Sequence, residues 1–289
     1  MNNNIYHYTS LVGLKSILAT QTLWMTKHHY LNDSKEFKDG LHRIQNAVSE
    51  YLINNKDLIS PYNYEGIELT MKWLQNTSIY VTSFCKHGDL LSLWERYGQY
   101  AIEFDFDNSK MMNRKEGTFS NLISCIYDSE EKDRMTKVIV EGYLKNFEIY
   151  PKFDKSDLYD LFIGYLDCIL RAKNEYFFEE QEVRYVMKAH INNEDIIVLK
   201  DGECSDSFGR PIISVGPLYA LKKQKILTRK AQDKEYDIIY VEKQFPKQFI
   251  KSITVSPSLD FELTKKELET FLSKNDYTIE IKQSKIPLK

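Results

Sequence analysis

Apolar side chains along this chain follow two periods, every second residue in some stretches and every third or fourth in others. Residues 4–9, "NIYHYT", place successive side chains on opposite faces and predict a strand. In the next segment Thr9 or Ser10 can cap a helix, and the apolar positions have helical spacing at Leu11, Leu14, Ile17 and Leu18. The chain is therefore expected to begin with a strand followed by an amphipathic helix.

The same two periods recur to the end of the sequence. They predict further strands at residues 78–86, 99–107, 177–186, 236–241, 250–256 and 277–282. They predict helices at 36–53, 89–98, 130–149, 157–173 and 264–274. Because no repeat or linker divides the chain, we expect an α+β fold in a single domain over residues 1–289, with a helical insertion across about 130–174.

Charged residues enter the strand predicted at 177–186, which begins "FFEEQEVRYV". With the period of a strand, Glu180, Glu182 and Arg184 fall on one face. Two carboxylates so close repel each other, and at least one of them should have a perturbed pKa. The pattern alone places the pair either at the solvated end of a sheet or at a functional site.

Composition excludes several classes of protein. With 289 residues, of which 42% are hydrophobic and 28% charged, the chain can bury a large core, and its many aromatic residues argue against disorder. A net charge of −3 gives no overall attraction to nucleic acid, so such binding needs a local patch. The strip "LKKQKILTRK" at residues 221–230 has no acid and is either a solvated basic surface or a phosphate-contacting strip.

The first residues have neither the charged nor the apolar region of a signal peptide. No stretch approaches the roughly 20 apolar residues of a membrane span, and the four cysteines form no CxxC pair. We therefore expect a cytoplasmic protein without a membrane partner.

Familiar catalytic motifs are missing from the sequence, which has no GxGxxG, P-loop, HExxH, GxSxG or EF-hand pattern. A classical dinucleotide-binding turn is thus unsupported. A Mg²⁺-dependent nuclease that uses Asp105, Glu180 and Glu182 is one alternative.

A series of short motifs resembles a bacterial family of unknown function. Its members open with "YHYT…L..IL…LW", carry an "LND..E" turn and an "SF" pair, and continue with a "W..Y" helix, an "EFD" strand and an "E.E.R" strand. The matching residues here are Tyr6-His7-Tyr8-Thr9, Leu31-Asn32-Asp33 with Glu36, Ser83-Phe84, Trp94 with Tyr97, Glu103-Phe104-Asp105, and Glu180, Glu182 and Arg184. Their order and spacing match over roughly residues 4–260.

That family in turn resembles the ADP-ribosyltransferases, including toxins that modify DNA and RNA. Enzymes of this superfamily hold NAD⁺ in a split β-sandwich with a His or Arg on the first strand, a Ser or aromatic residue on a middle strand, and a late Glu. The resemblance implies an ADP-ribosyltransferase-like split β-sandwich with surrounding helices. His7 would be the first-strand group, Ser83 the middle one and Glu182 the late glutamate, while the residue that stacks on nicotinamide stays undecided.

The resemblance also implies roles at the site. Glu182 would stabilise the cation that develops on the ribose as nicotinamide leaves, and Glu180 would orient or deprotonate the acceptor. The co-substrate NAD⁺ would contact His7, Tyr8, Thr9, Asn32, Ser83, Trp94, Tyr97 and Arg184. The alternative for each is a structural role, as when Asn32 forms a turn or Trp94 and Tyr97 form the buried face of a helix.

These expectations combine into an NAD-dependent ADP-ribosyltransferase of the bacterial toxin or anti-phage defence type. Its acceptor would be nucleic acid, which the basic strip at 221–230 and the likeness to nucleic-acid-modifying toxins favour, and a toxin would need an antitoxin protein as partner. The alternative from another class is a non-catalytic sensor that binds a nucleotide or nucleic acid.

Overall fold

A computed structural model describes residues 4–30, 35–76, 78–106, 121–149, 155–189, 196–198, 204–206, 226–230 and 237–287. The helices are α1 Leu11–Thr20, α2 Lys35–Asn55, α3 Pro61–Asn76, α4 Leu91–Tyr97, α5 Ser129–Ile149, α6 Lys155–Arg171 and α7 Phe261–Lys274. The strands are β1 Asn4–Thr9, β2 Thr22–Lys27, β3 Ser78–Cys85, β4 Tyr100–Asp105, β5 Asn121–Ser124, β6 Glu182–Ala189, β7 Ile196–Val198, β8 Cys204–Asp206, β9 Ile226–Lys230, β10 Asp237–Gln244, β11 Ile250–Val255 and β12 Glu280–Gln283. Short 3-10 helices lie at His28–Tyr30, Glu175–Glu180 and Lys247–Phe249.

Ten of these strands form one mixed sheet. Its main path runs β12-β11-β4-β1-β3-β2-β10-β9, while β6 pairs with β3, and β5 pairs with β6. The β11–β12 pair is parallel, whereas its neighbour β11–β4 is antiparallel. The predicted α+β class is confirmed at this level, as a large mixed sheet with several helices.

Strand β3 has two different neighbours along one of its edges. Near its start it pairs with β2, at Tyr80 and Val81, and near its end it pairs with β1, at Cys85. Along the other edge it pairs with β6 over its whole length. Between these two pairings, residues 82–84 have no strand partner on this edge among the described residues, so the sheet opens beside them.

Two apolar layers stabilise the sheet. One packs α1 and α7 on it, and the other packs α2, α3, α5 and α6 on strands β3, β5 and β6. The second layer contains the helices that the sequence predicted at 130–149 and 157–173. These two helices pack against α2, and α6 also packs against α3.

The sequence analysis missed one α-helix and five strands, and it misplaced the start of another strand. It contained neither α3 nor the strands β2, β5, β7, β8 and β9. The strand predicted from residue 177 begins at Glu182, and Glu175–Glu180 form a 3-10 helix instead. The backbone of Gln181 has a φ of 40°, which a strand does not allow, so the prediction that Glu180 lies in the strand was wrong.

Within the described ranges, no helix is both long enough and apolar enough to cross a membrane.

Candidate active site

A cleft opens where β1 and β2 diverge from β3. Its volume is about 560 Å³, which is within the usual range for small-molecule sites. Helix α1, strands β1, β2, β3 and β6, and the 3-10 helix Glu175–Glu180 contribute to its lining. The cleft brings together most of the residues that the sequence singled out, namely His7, Tyr8, Thr9, Ser83, Tyr97, Glu180, Glu182 and Arg184.

His7 and Ser83 join the first and third strands inside the cleft. The Nδ1 atom of His7 lies 3.0 Å from the backbone carbonyl oxygen of Ser83. Because a carbonyl oxygen only accepts hydrogen bonds, this contact assigns the proton of a neutral ring to Nδ1 and leaves Nε2 as an acceptor. Burial lowers the pKa of His7, so the ring is neutral at pH 7.

Glu182, the first residue of β6, is a buried carboxylate with partners on both oxygens. Its Oε1 accepts hydrogen bonds from Ser83 Oγ at 2.5 Å and from Arg184 Nε at 3.2 Å. Its Oε2 lies 2.5 Å from Lys173 Nζ and 3.1 Å from Arg184 Nη2. Burial alone would raise the pKa of Glu182, but the charges and hydrogen bonds of Arg184 and Lys173 outweigh it and lower that pKa to about 2. Glu182 is therefore ionised at neutral pH.

Glu180 reaches the same cleft from the 3-10 helix, because the left-handed backbone at Gln181 turns the chain before β6 begins. Its Oε1 accepts hydrogen bonds from the Tyr97 hydroxyl at 3.0 Å and from Arg96 Nη1 at 3.2 Å. Its Oε2 lies 2.9 Å from Lys173 Nζ. The two glutamates, which would otherwise repel each other, are thus bridged by one ammonium group.

Lys173 and Glu36 complete a buried charge cluster that the sequence did not predict. Lys173 Nζ lies 3.5 Å from Glu36 Oε1, and Arg184 Nη2 donates a hydrogen bond to Glu36 Oε2. Together with Glu180 and Glu182, the cluster holds three carboxylates and two cations. If all five groups are ionised, its net charge is −1.

Glu36 presents an unusual oxygen to the cleft that it helps to line. Its side chain is only 7% exposed, yet Oε1 has no hydrogen-bond partner among the described residues. Burial raises the pKa of Glu36 despite the nearby charges of Arg184 and Lys173. Its nearest cation, Lys173 Nζ, lies at the long distance of 3.5 Å, so this buried oxygen can still accept a hydrogen bond from a ligand.

The backbone around α6 fixes these charges in place. Arg184 Nη1 donates to the carbonyl of Leu170 at 3.0 Å, and Lys132 Nζ donates to the carbonyl of Lys173 at 3.0 Å. The backbone N–H of Glu182 donates to the Tyr127 hydroxyl at 2.7 Å. The end of α6 and the start of β6 are therefore held together at the site.

Of the predicted contact residues, Trp94 does not line the cleft, and Asn32 cannot be placed relative to it. Trp94 is buried outside the lining, where its ring packs edge-on against Tyr8 at 4.7 Å and its Nε1 donates to Asp89 Oδ1 at 3.0 Å. These contacts are those of the buried helix face that was its alternative, and the predicted contact of Trp94 with NAD⁺ stays a prediction. Asn32 lies outside the described residues.

The basic strip at 221–230 is described only from residue 226 onward. Arg229 lines the cleft, and its guanidinium carbon lies 5.0 Å from the centre of the Trp24 ring. Lys230 is exposed and pairs with Asp237 at 2.8 Å. Residues 221–225, with the other three lysines of the strip, fall outside the described residues.

The proposed metal-binding residues of a nuclease do not come together. In the part of the chain that the structure describes, no group of three His, Cys, Asp or Glu side chains is arranged to hold a metal ion. Asp105 lies on β4, where it pairs with Lys251 at 3.3 Å, and does not line the cleft. Glu180 and Glu182 share Lys173 as an ion-pair partner instead.

Comparison of the chain with known proteins and protein families finds one match, to a family model. Residues 93–185 match a family model described as "Protein of unknown function (DUF2971)". The match covers about a third of the chain and includes Glu180, Glu182, Arg184 and Lys173, but neither Ser83 nor the residues contributed by β1. No curated protein and no solved structure matches the chain.

Proposed function

We propose that this protein is an NAD-dependent ADP-ribosyltransferase built on an ADP-ribosyltransferase-like split β-sandwich. One observation carries the proposal. The cleft at the divergence of β1 and β2 gathers His7, Ser83 and Glu182, three residues from distant parts of the chain to which the resemblance assigned NAD⁺ binding. A chance resemblance of motifs gives no reason for all three to line one cleft.

The proposed reaction breaks the bond between nicotinamide N1 and ribose C1′, and the electron pair leaves with neutral nicotinamide. Positive charge then develops on the ribose, as in glycoside hydrolysis. Glu182, with a pKa of about 2, supplies a permanent negative charge for this cation. Ser83 and the two cations hold its carboxylate in one orientation, so little reorganisation is needed during the reaction.

Glu180 is the proposed base. The acceptor's oxygen or nitrogen attacks C1′, and its proton passes to Glu180, so the products are free nicotinamide and an ADP-ribosylated acceptor. Glu180 shares Lys173 with Glu182 at 2.9 and 2.5 Å, which holds both carboxylates close to the reacting centre. Tyr97 and Arg96 fix the other oxygen of Glu180.

Nucleic acid is the proposed acceptor class, and a bacterial toxin or anti-phage defence effector, with an antitoxin protein as partner, is the proposed biological setting. The support is the Arg229 guanidinium in the cleft lining, together with the likeness to nucleic-acid-modifying toxins. Arginine and aromatic side chains are the groups that hold unpaired bases and phosphates.

The first test is nicotinamide release and adduct formation by wild type and Glu182→Gln, incubated with NAD⁺ and total nucleic acid and followed by mass spectrometry. Glutamine keeps the shape of the side chain but removes the charge that stabilises the cation. We expect nicotinamide release to fall by at least about 100-fold, and the adduct to disappear with it.

The matched control is Glu179→Gln, which removes an exposed carboxylate from the same 3-10 helix and should leave the rate unchanged. Because Glu182→Gln leaves Lys173 and Arg184 with less compensating charge, its fold is checked by thermal unfolding, and Glu182→Asp is measured beside it. If folded wild type releases no nicotinamide, the transferase proposal fails.

The sensor alternative has one observation in its favour. Both oxygens of Glu182 are already engaged by protein groups, an arrangement that a purely structural carboxylate would also show. A sensor would be little changed by Glu182→Gln and would bind nucleotide like wild type, with no product formed by either protein. Chelator-sensitive cleavage of nucleic acid would instead support the nuclease.

A further inference from the structure

Trp24 is an exposed tryptophan in the lining of the cleft, and the proposed reaction does not use it. Strand β2 turns Leu23 and Met25 into the apolar core and Trp24 to the other face, where 43% of its surface is exposed. Exposing so much of a large aromatic side chain forgoes the free energy of burying it. Such a residue inside a cleft is a candidate contact for a ligand.

The neighbours of Trp24 form a wall with it. The buried Tyr240 ring on β10, which does not itself line the cleft, packs against the indole at 4.8 Å between ring centres, with the two ring planes 40° apart. Arg229 on β9 places its guanidinium carbon 5.0 Å from the centre of the indole ring. Strands β2, β10 and β9 are consecutive in the sheet, so backbone pairing fixes this wall, which consists of Trp24, Tyr240 and Arg229.

The charge of the wall favours an anion at Arg229. Within the described residues the Arg229 guanidinium makes no ion pair, whereas Lys230 beside it is paired with Asp237. The acid closest to Trp24 in the strand register is Glu242, its partner on β10, which is exposed. An exposed indole beside a guanidinium that has no ion-pair partner among the described residues matches a ligand with a flat ring and a phosphate.

We infer that the wall of Trp24, Tyr240 and Arg229 is a nucleotide subsite, in which the base stacks on the indole and a phosphate pairs with the guanidinium. This inference rests on the proposed function for the choice of a nucleotide as ligand, but it requires no turnover. The nucleotide has two sources with the same chemistry: the ADP half of NAD⁺, or a nucleotide of the acceptor strand. The wall gives the cleft a second recognition element besides the charge cluster of Glu36, Glu180, Glu182, Lys173 and Arg184.

The test uses two probes that lack nicotinamide, so no reaction can occur with either. Wild type is titrated calorimetrically with ADP and, separately, with a short single-stranded oligonucleotide of mixed sequence. Trp24→Ala should weaken binding of the matching probe by about 5- to 150-fold, the range for losing one stacked base. Trp24→Phe should retain most of the affinity because the aromatic face is kept. Arg229→Gln should weaken binding and reduce its salt dependence.

Two controls remove similar groups elsewhere on the surface. Tyr64→Ala deletes an aromatic side chain on α3 that is 48% exposed, and Arg134→Gln deletes an exposed arginine on α5. Neither residue lines the cleft, so both variants should bind like wild type.

Each outcome of the titrations has a defined meaning. Loss of ADP binding in Trp24→Ala and Arg229→Gln assigns the wall to the cosubstrate, and loss of oligonucleotide binding alone assigns it to the acceptor strand. If wild type binds neither probe, or if the wall variants bind like the controls, the subsite is rejected. Because nicotinamide release is measured separately, failure of the transferase chemistry and failure of the subsite give different results.

Discussion

At the scale of single residues, Lys173 is the group on which the charge cluster depends. Its ammonium contacts Glu36, Glu180 and Glu182. Burial alone would lower the pKa of Lys173, but the three carboxylates outweigh this effect and raise it. The lysine is therefore charged, and without it Glu36 and Glu182 would share Arg184 while Glu180 would keep the partly exposed Arg96. Removing one partner from such a set of buried charges lowers the stability of the protein by more than the intact set contributes to it.

We predict that Lys173→Met destabilises the protein by about 3–5 kcal/mol, the usual effect of leaving buried charges unpaired. The measurement is the free energy of unfolding at pH 7 from denaturant titration. Lys137→Met is the control, since Lys137 is 57% exposed and its ion pairs among the described residues are with Glu50 and Glu141, whose side chains are 62% and 47% exposed. Its loss should cost at most about 1 kcal/mol. Equal effects of the two variants would contradict the role assigned to Lys173.

At the scale of elements, the packing of α2 on α6 positions the cluster, because Glu36 lies in the first turn of α2 and Lys173 lies two residues after α6. These helices approach closely at Gly40. A Cβ atom added there would lie 2.8 Å from the Cα of Ile169 on α6. Backbone atoms cannot move aside as a flexible side chain can, so the absence of a side chain at Gly40 sets the distance between the two helices.

We predict that Gly40→Ala destabilises the protein by about 1–3 kcal/mol through overpacking. Gly142→Ala is a matched change in another helix interior, α5, and there the added Cβ meets nothing within 4 Å. That variant should gain up to about 1 kcal/mol from the higher helix propensity of alanine. Denaturant unfolding of the two variants should therefore give shifts of opposite sign. Stabilisation by Gly40→Ala would show that the helix pair can separate without cost.

At the scale of the whole molecule, the C-terminal segment is tied to the region next to the cleft through Asp89. Its Oδ1 accepts hydrogen bonds from Trp94 Nε1 at 3.0 Å and from Ser284 Oγ at 2.6 Å, and its Oδ2 accepts one from the Lys285 backbone at 2.7 Å. Ile286 packs against the apolar cluster that contains Tyr8 and Trp94. Tyr8 belongs to β1, the strand that carries His7. Contacts from Ile286 near the end of the sequence therefore support this strand near its beginning.

We predict that Asp89→Ala lowers stability by about 2–3 kcal/mol, since hydrogen bonds to a charged acceptor contribute more than neutral ones. It should also release the C-terminal segment, making residues near Lys285 more sensitive to trypsin in limited proteolysis. Asp237→Ala is the control, because the ion pair that Asp237 makes in the described part of the chain is with Lys230, whose side chain is 83% exposed. Unchanged proteolysis near Lys285 would mean that the apolar contacts of Ile286 suffice to hold the segment.

Local pattern predicted the elements whose apolar side chains repeat without interruption. Strand β4 and helix α7 were anticipated because their periods are long and unbroken. Strand β2 was missed because its six residues follow α1 directly and its alternation is short. Residue 180 was misplaced because a period of two runs through Gln181, where a left-handed backbone ends the 3-10 helix. The spacing of apolar and polar residues in a sequence does not reveal that one residue between them has a positive φ.

The sequence by itself determined the alternation of strands and helices, and it supplied His7, Ser83 and Glu182 as candidates, because motif spacing is a property of the chain. Only the tertiary structure decided that these three residues share one cleft. It also brought in Lys173, Glu36 and Trp24, and removed Trp94 from the cleft lining. The physical reason is that charge pairing and exposure depend on distances across the fold, and these are fixed where β1 and β2 separate along β3 and where α2 packs on α6.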